Sequence, residues 1–267
     1  MCRALVGGIL QAGFPGERIR VSDPFPEALE TVRQRFPAVC TTSSNRECWQ
    51  SAEVVILAVK PNVVRHCCQE LVEDFAASQE KLPLIVSIAA GVRACDMIHW
   101  LGGHDCVVRV MPNTPALVKK GATGMWAGDG VSVAQRELVE TLFQGVGIAR
   151  WVGDEEDLLD AVTAISGSGP AYFFLFMESL IQAGQELGLS PDLARDLVLQ
   201  TALGAACMAM DTDQDVGSMR RMVTSPHGTT EAAISHFQSH GLAELVQGAA
   251  KAAQERGHEI GKELGEQ

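Results

Sequence analysis

The chain has 267 residues, 46% of them hydrophobic and 20% charged, with a formal net charge of -12. That length has room for two domains, and that balance is ordinary for a globular protein. The acidic surplus excludes a general nucleic-acid binder, which needs a basic face, but not a small anionic ligand held by a few local N–H groups.

The first half alternates two kinds of segment. Residues 1–12 read as a helix. Residues 18–22 (RIRVS) read as a short strand that stops at Asp23-Pro24, followed by a helix over 26–36. The run 54–59 (VVILAV) is apolar and β-branched, as in a strand buried on both faces, and Lys60-Pro61 breaks it. A helix at 63–76 leads to a second buried strand at 84–88, which ends in Ala89, Ala90 and Gly91. A short helix at 93–101 precedes the strand 107–111 (VVRVM), closed by Pro112, Asn113, Thr114 and Pro115. A strand near 124–127, a helix at 134–144 and a strand near 149–152 complete this half. Strands alternating with helices predict a mostly parallel, doubly wound α/β sheet. Its ligand site is expected beyond the carboxyl ends of the strands, where 58–61, 89–91 and 111–115 gather.

After Gly153 the pattern is all-helical, with helices expected at 155–165, 171–187, 191–210, 215–222, 230–239 and 242–264. The expected domains are therefore 1–153 and 154–267. The Ala/Gly/Cys run at 202–209 allows close helix approach, at a subunit interface or in a tight core. Between the helices at 215–222 and 230–239 lies Val223-Thr224-Ser225-Pro226-His227-Gly228-Thr229-Thr230. Ser, Thr, Pro and Gly stop one helix and start the next. A new helix start carries N–H groups without intrahelical partners and a favourable dipole, so the segment reads either as an ordinary capped interhelical turn or as a seat for a carboxylate or phosphate.

The eight cysteines include no C-x-x-C pair, so no metal site is expected from them. His236 and His240 share helical spacing, but Gly241 follows at once, which suits a helix end better than a ligand pair. The first apolar run is short and broken by Gly7 and Gly8, unlike a signal peptide, and no stretch reads as long enough to span a bilayer. The expectation is a cytoplasmic protein with reduced thiols and no membrane partner.

Five motifs in order resemble the pyrroline-5-carboxylate reductases: Ala58-Val59-Lys60-Pro61, Ser87-Ile88-Ala89-Ala90-Gly91-Val92, Val108-Arg109-Val110-Met111-Pro112-Asn113-Thr114-Pro115-Ala116, Ser166-Gly167-Ser168-Gly169-Pro170-Ala171-Tyr172 and the segment 224–230. The resemblance runs from Met1 to near the C-terminus. It implies a Rossmann-like N-terminal domain and a helical C-terminal domain for dimerisation. It also implies reduction of a cyclic imine to proline with NADP or NAD as the nicotinamide cofactor, and assembly as a homodimer or larger ring. Residue by residue, it implies that Ser225, Gly228, Thr229 and Thr230 hold the substrate, with the Thr230 hydroxyl at the ring nitrogen as the catalytic group. A donor there steadies the amine that forms as hydride reaches the C=N carbon. Threonine has a poor pKa for acid catalysis, so the expected role is an orienting donor or relay. On the cofactor side the resemblance implies Asn45 near the adenosine ribose, and Ala58, Val59, Lys60 and Pro61 over the pyrophosphate and ribose. Ala89 and Ala90 fall against the nicotinamide, with Asn113 and Pro115 at the same end. Ser22 and Asp23 fall where the 2′ group is read; an acid there suits a free 2′-hydroxyl and leans toward NADH. The cluster 166–172 is expected to close the pocket, and Glu178 to be structural.

The sequence departs from the family twice. Relatives open with a β-strand and a Gly-x-Gly-Asn-Met turn; here Met1 aligns with the methionine of that turn. The missing stretch is roughly ten residues, the central strand and its phosphate-binding loop, and its loss leaves two strands without a ladder partner. The reading favours a start site set too late; a native start at Met1 predicts weak cofactor binding. Secondly, His227 stands where relatives have Gly, a position that can require positive φ. Two other readings are weighed. One is a related NADP-dependent reductase of another imine or a β-hydroxy acid, against which 171–187 lacks the lysine such enzymes carry. The other is a shortened, non-catalytic or cofactor-impaired paralogue that still oligomerises.

Overall fold

The computed structural model describes residues 1–266, which form two compact units: Met1–Ser168 together with the chain from Ala252 onward, and Gly169–Lys251.

In the first unit, α1 (Cys2–Gln11) leads to β1 (Arg20–Ser22), α2 (Pro26–Arg35), β2 (Cys40–Thr42), α3 (Asn45–Trp49) and β3 (Val54–Leu57). There follow α4 (Pro61–Ser78), β4 (Leu84–Ser87), α5 (Ala94–Trp100), β5 (Val107–Met111), β6 (Gly121–Ala127), α6 (Val133–Gln144), β7 (Gly147–Trp151) and α7 (Leu158–Val162). Strands β3 to β7 form one sheet in sequence order, parallel except for the antiparallel pair β5–β6. Strands β1 and β2 pair in parallel as a separate sheet. Among the described residues no strand lies between β1 and β3, so each has a ladder partner on one side only. Arg18 and Glu53, shortly before the two strands, form an exposed ion pair at 3.1 Å.

The doubly wound plan follows from the apolar strands. Ile85, Val86, Val107 and Val108 are fully buried, and helices cover both faces. On one face Leu5 and Ile9 of α1 join Val86, Val108, Val110 and Phe143. Val6 of the same helix turns to the small sheet, packing with Val21, Leu29, Val32 and Val39. Gly8 lets α1 come this close: a Cβ there would sit 2.3 Å from Val146 Cγ1. The opposite face packs Leu71, Phe75, Met97 and Leu101.

Several expectations need correction. The strand β2 and helix α3 were not expected, because three residues (CTT) and five residues carry no readable period. The strand at 124–127 begins earlier, at Gly121. The helix expected over 155–165 is α-helical only from Leu158 to Val162 and then widens into a π turn, Thr163–Gly167. There Thr163 Oγ1 and Ser166 Oγ bond back to the carbonyls of Leu159 and Val162, which loosens the ordinary ladder. The first compact unit runs on to Ser168. Leu159, Asp160 and Ala164 are buried within the first unit, and the last turns of the C-terminal helix return to it.

The second unit holds α8 (Gly169–Glu186), α9 (Pro191–Met210), α10 (Val216–Met222), α11 (Thr229–Ser239) and the first part of α12 (Leu242–Gly265). Ser190 caps α9, whose first residue is Pro191, and Asp215 caps α10. Phe176 of α8 and Phe237 of α11 meet with ring centroids 6.1 Å apart. Many large apolar side chains of α8 and α9 stay exposed, among them Phe173, Phe174, Leu175, Leu197 and Leu203. The expectation that no stretch is long enough for a bilayer is corrected here: Leu158–Glu186 and Pro191–Met210 pass by length and apolar composition.

Candidate active site

Parallel pairing puts the carboxyl ends of β3, β4 and β5 on one edge. Leu57 closes β3, and the chain passes through half-buried Ala58 and exposed Val59 and Lys60 into α4. Lys60 occupies the N-cap without a side-chain cap and Pro61 the first turn, so the helix start keeps its positive end open toward the loop. The Ile88 N–H donates to the Leu57 carbonyl at 3.2 Å, tying this loop to the next. There Ala89 is buried, with its N–H on Ser87 Oγ at 3.3 Å, Ala90 is half-buried, and Gly91 takes φ +80°.

At the end of β1, Ser22 Oγ donates to Asn45 Oδ1 at 2.8 Å, and Asn45 Nδ2 donates to Glu70 Oε2 at 2.9 Å. Asp23 Oδ1 accepts the Phe25 N–H at 2.9 Å, which fixes the carboxylate just beyond the strand. Small side chains at 58 and 89–90 and an open helix start lie on the strand-end edge, and an acid follows β1.

The Asn113 side chain is engaged within the protein. It is buried; Nδ2 donates to the Ser166 carbonyl at 3.0 Å and Oδ1 accepts the Ala122 N–H at 2.9 Å. Both polar ends bind the protein itself and tie the loop after β5 to the π turn. Pro115 is half-buried and opens the 3-10 turn Thr114–Val118.

A polar cluster absent from the sequence expectations centres on Arg109 and Arg93. Arg109, in the middle of β5 and 7% exposed, pairs with Glu156, and Glu156 Oε1 also accepts the Ala94 N–H at 2.7 Å. Arg93 reaches Asp157 at 3.1 Å, His258 Nδ1 at 2.7 Å and Asp160 at 3.8 Å. The readable signal was an arginine inside an otherwise apolar strand, VVRVM.

The residues expected to hold substrate lie in the second unit, on the turn from α10 to α11. Asp215 caps α10, and the Ser218 hydroxyl, then its N–H, holds the carboxyl below the usual carboxylate range. Arg220 and Arg221 lie in the last turn of α10. The Gly228 N–H donates to the Ser225 carbonyl at 3.0 Å, closing the turn, and the His227 N–H donates to Glu231 Oε2 at 2.7 Å. Gly228 occupies the N-cap of α11 with no side-chain cap. Ser225, Thr229 and Thr230 are exposed around that start. His227 takes φ +60°, the conformation anticipated for a position where glycine is favoured.

The cysteine thiols are poor nucleophiles where they are buried. Burial pushes Cys68 up to about 12, and Cys67, Cys2, Cys48 and Cys106 upward for the same reason.

Residues 156–260 match the family described as pyrroline-5-carboxylate reductase dimerisation, and residues 1–91 match the family described as NADP oxidoreductase coenzyme F420-dependent. The pyrroline-5-carboxylate reductase of Pseudomonas aeruginosa is 47% identical over 266 residues, which span 100% of this chain and 95% of that protein. The solved pyrroline-5-carboxylate reductase of Coxiella burnetii superposes with a TM-score of 0.90 at 41% identity, covering 97% of this chain and 94% of that one. The pyrroline carboxylate reductase of Plasmodium falciparum, solved with NADP bound, gives 0.82 at 30% identity, covering 97% and 93%. The strand-end loops, the helical second unit and these matches agree, and the chain belongs to the pyrroline-5-carboxylate reductases, NAD(P)H-dependent oxidoreductases that form proline.

Proposed function

We propose that the turn 223–230 is the substrate half of this reductase and the strand-end edge of the first unit its cofactor half. One observation carries the reading: α11 begins without a side-chain cap, ringed by the hydroxyls of Ser225, Thr229 and Thr230. The amides of that first turn and the Ser225 hydroxyl hold the carboxylate of 1-pyrroline-5-carboxylate. The Thr230 hydroxyl donates to the ring nitrogen. As the C=N carbon is reduced, the π electron pair moves onto nitrogen and a donor placed there stabilises it. The proton comes from the protonated imine or water, with Thr230 orienting it.

NAD(P)H, when bound, supplies the hydride. Ser22, Asp23 and Asn45 would hold its adenosine ribose, and Ala58, Val59, Lys60 and Pro61 its pyrophosphate and ribose. Ala89, Ala90 and Pro115 would receive the nicotinamide. Asn113 serves the same end by anchoring the Ser166 carbonyl. In function, 1–153 is the dinucleotide-binding part and 154–267 the substrate and dimer part. The chain self-associates through its dimerisation region. We place the interface on the exposed apolar faces of α8 and α9, which supports a subunit contact rather than a bilayer: Glu178, Glu186, Asp192, Arg195 and Asp196 interrupt them. The expected setting is the cytoplasm, as a homodimer or a ring of dimers.

Saturation kinetics with Ser225→Ala test the substrate half. The expected result is a KM for pyrroline-5-carboxylate raised about tenfold, for loss of one charge-assisted hydrogen bond, with the KM for NAD(P)H unchanged. An unchanged substrate KM contradicts the assignment.

A further inference from the structure

We infer that the last turns of α12 are a positioning strut for the loop at Ala89, Ala90 and Gly91, with Gly261 and His258 as the positioning residues. The inference rests on the reading of that loop as the nicotinamide bed and extends it to residues that do not touch the cofactor.

Two independent contacts join α12 to the loop. The first is steric. Gly261 is buried, and a Cβ on it would sit 2.8 Å from the Gly91 carbonyl oxygen; a Cβ on Gly91 would sit 2.9 Å from Ile260 Cγ2. Backbone therefore meets backbone, and neither glycine can gain a methyl without a shift. Gly91 also holds φ +80°, a conformation in which any side chain would be strained. The second contact is polar. His258 lies three residues before Gly261, on the same face of the helix. Its Nδ1 faces Arg93 NH2 at 2.7 Å, so this nitrogen is the acceptor and the guanidinium the donor. Arg93 is two residues after Gly91 and is the N-cap of α5. Its other partners are Asp157 at 3.1 Å and Asp160 at 3.8 Å.

The next residue, Ala94, is pinned as well. Its N–H donates to Glu156 Oε1, which also receives the buried Arg109. The loop thus leaves β4 on one side and is caught within four residues by α12, by the Arg93 cluster and by Glu156. A loop that must present two alanines at a fixed height to a flat ring gains from such fixing. A displacement of about 1 Å at a positioning element can cost on the order of a hundredfold in rate.

The experiment uses the full chain with four sequences: wild type, Gly261→Ala, His258→Leu and His258→Asn. Asn offers an acceptor oxygen near the place of Nδ1; Leu offers none. Ligand-free hydrogen exchange reads the loop, and calorimetric titration with NADH reads the cofactor site without turnover. Kinetics then give both KM values. The expected result is faster exchange confined to 88–94 in Gly261→Ala and His258→Leu. NADH binding should be weaker by roughly tenfold, the scale of one lost contact. The KM for pyrroline-5-carboxylate should be unchanged, and His258→Asn should be close to wild type. Exchange that rises across the whole unit, NADH binding equal to wild type, or an Asn variant no better than Leu overturns the strut. A wild-type chain that neither binds NADH nor turns over overturns the reading of the loop itself, an outcome distinct from variants that match a working wild type.

Discussion

The buried side chain of Asn113 is spent on Ser166, whose carbonyl it holds at 3.0 Å while accepting the Ala122 N–H at 2.9 Å. Two motifs far apart in sequence are thereby locked together. Asn113→Ala leaves a half-buried N–H and a half-buried carbonyl without these partners, an expected loss of about 1–3 kcal/mol. Urea unfolding checks it. A variant of wild-type stability that has lost only cofactor affinity would show that the side chain serves the ligand instead.

His227 adopts φ +60° and its N–H is taken by Glu231. The left-handed region costs an ordinary residue about 1 kcal/mol, and glycine offsets part of that gain through its freer unfolded chain. His227→Gly is expected to melt within a few degrees of wild type and to keep the substrate KM and its pH profile. His227→Val is expected to lower Tm, because a β-branched residue fits this conformation worst. A substrate KM that rises in the Gly variant would assign the imidazole to the carboxylate.

Asp23 stands just past β1 with one carboxylate oxygen bound to the Phe25 N–H. A fixed acid favours a free 2′-hydroxyl and repels a 2′-phosphate. The expected kcat/KM is higher with NADH than with NADPH, and Asp23→Asn is expected to narrow the gap. A large preference for NADPH in the wild type contradicts this.

Asp215 has its carboxyl held below its ordinary value, chiefly by the Ser218 hydroxyl. A depressed folded-state pKa contributes stability that is present above the unfolded value and is lost as pH falls through the folded one. Acidification is therefore expected to loosen α10 at its start. Asp215→Asn keeps a good N-cap but removes that proton linkage. Hydrogen exchange of α10 against pH should be flatter in the Asn variant; identical profiles would show that Asp215 does not set the response.

Much of this was legible because strands 84–87 and 107–111 are almost wholly buried and read as short, mainly apolar runs; 54–57 reads the same way, although at the sheet edge only its Leu57 is buried. Long helices such as α9, capped by Ser190 and opened by Pro191, were equally plain. What escaped was decided by tertiary partners. The helix α3 is five residues long, with Trp49 Nε1 donating to Asp74 on α4. The boundary between units follows the burial of Leu159 and Ala164, which a helical period does not reveal. The turn 223–230 was visible as a helix start with hydroxyls, but its chemistry came only from the resemblance. The Arg93, Arg109, Glu156 and His258 cluster is spread over 165 positions and has no local pattern at all.

The most direct test of the account is the steady-state rate of pyrroline-5-carboxylate-dependent NAD(P)H oxidation, with proline as product, for wild type, Thr230→Ala and Thr230→Ser. The wild type is expected to turn over, Thr230→Ala to lose about a hundredfold in kcat, the scale of one preorganised donor, and Thr230→Ser to keep most of the rate. A Thr230→Ala enzyme at the wild-type rate, or a wild type with no imine-dependent oxidation, would contradict it.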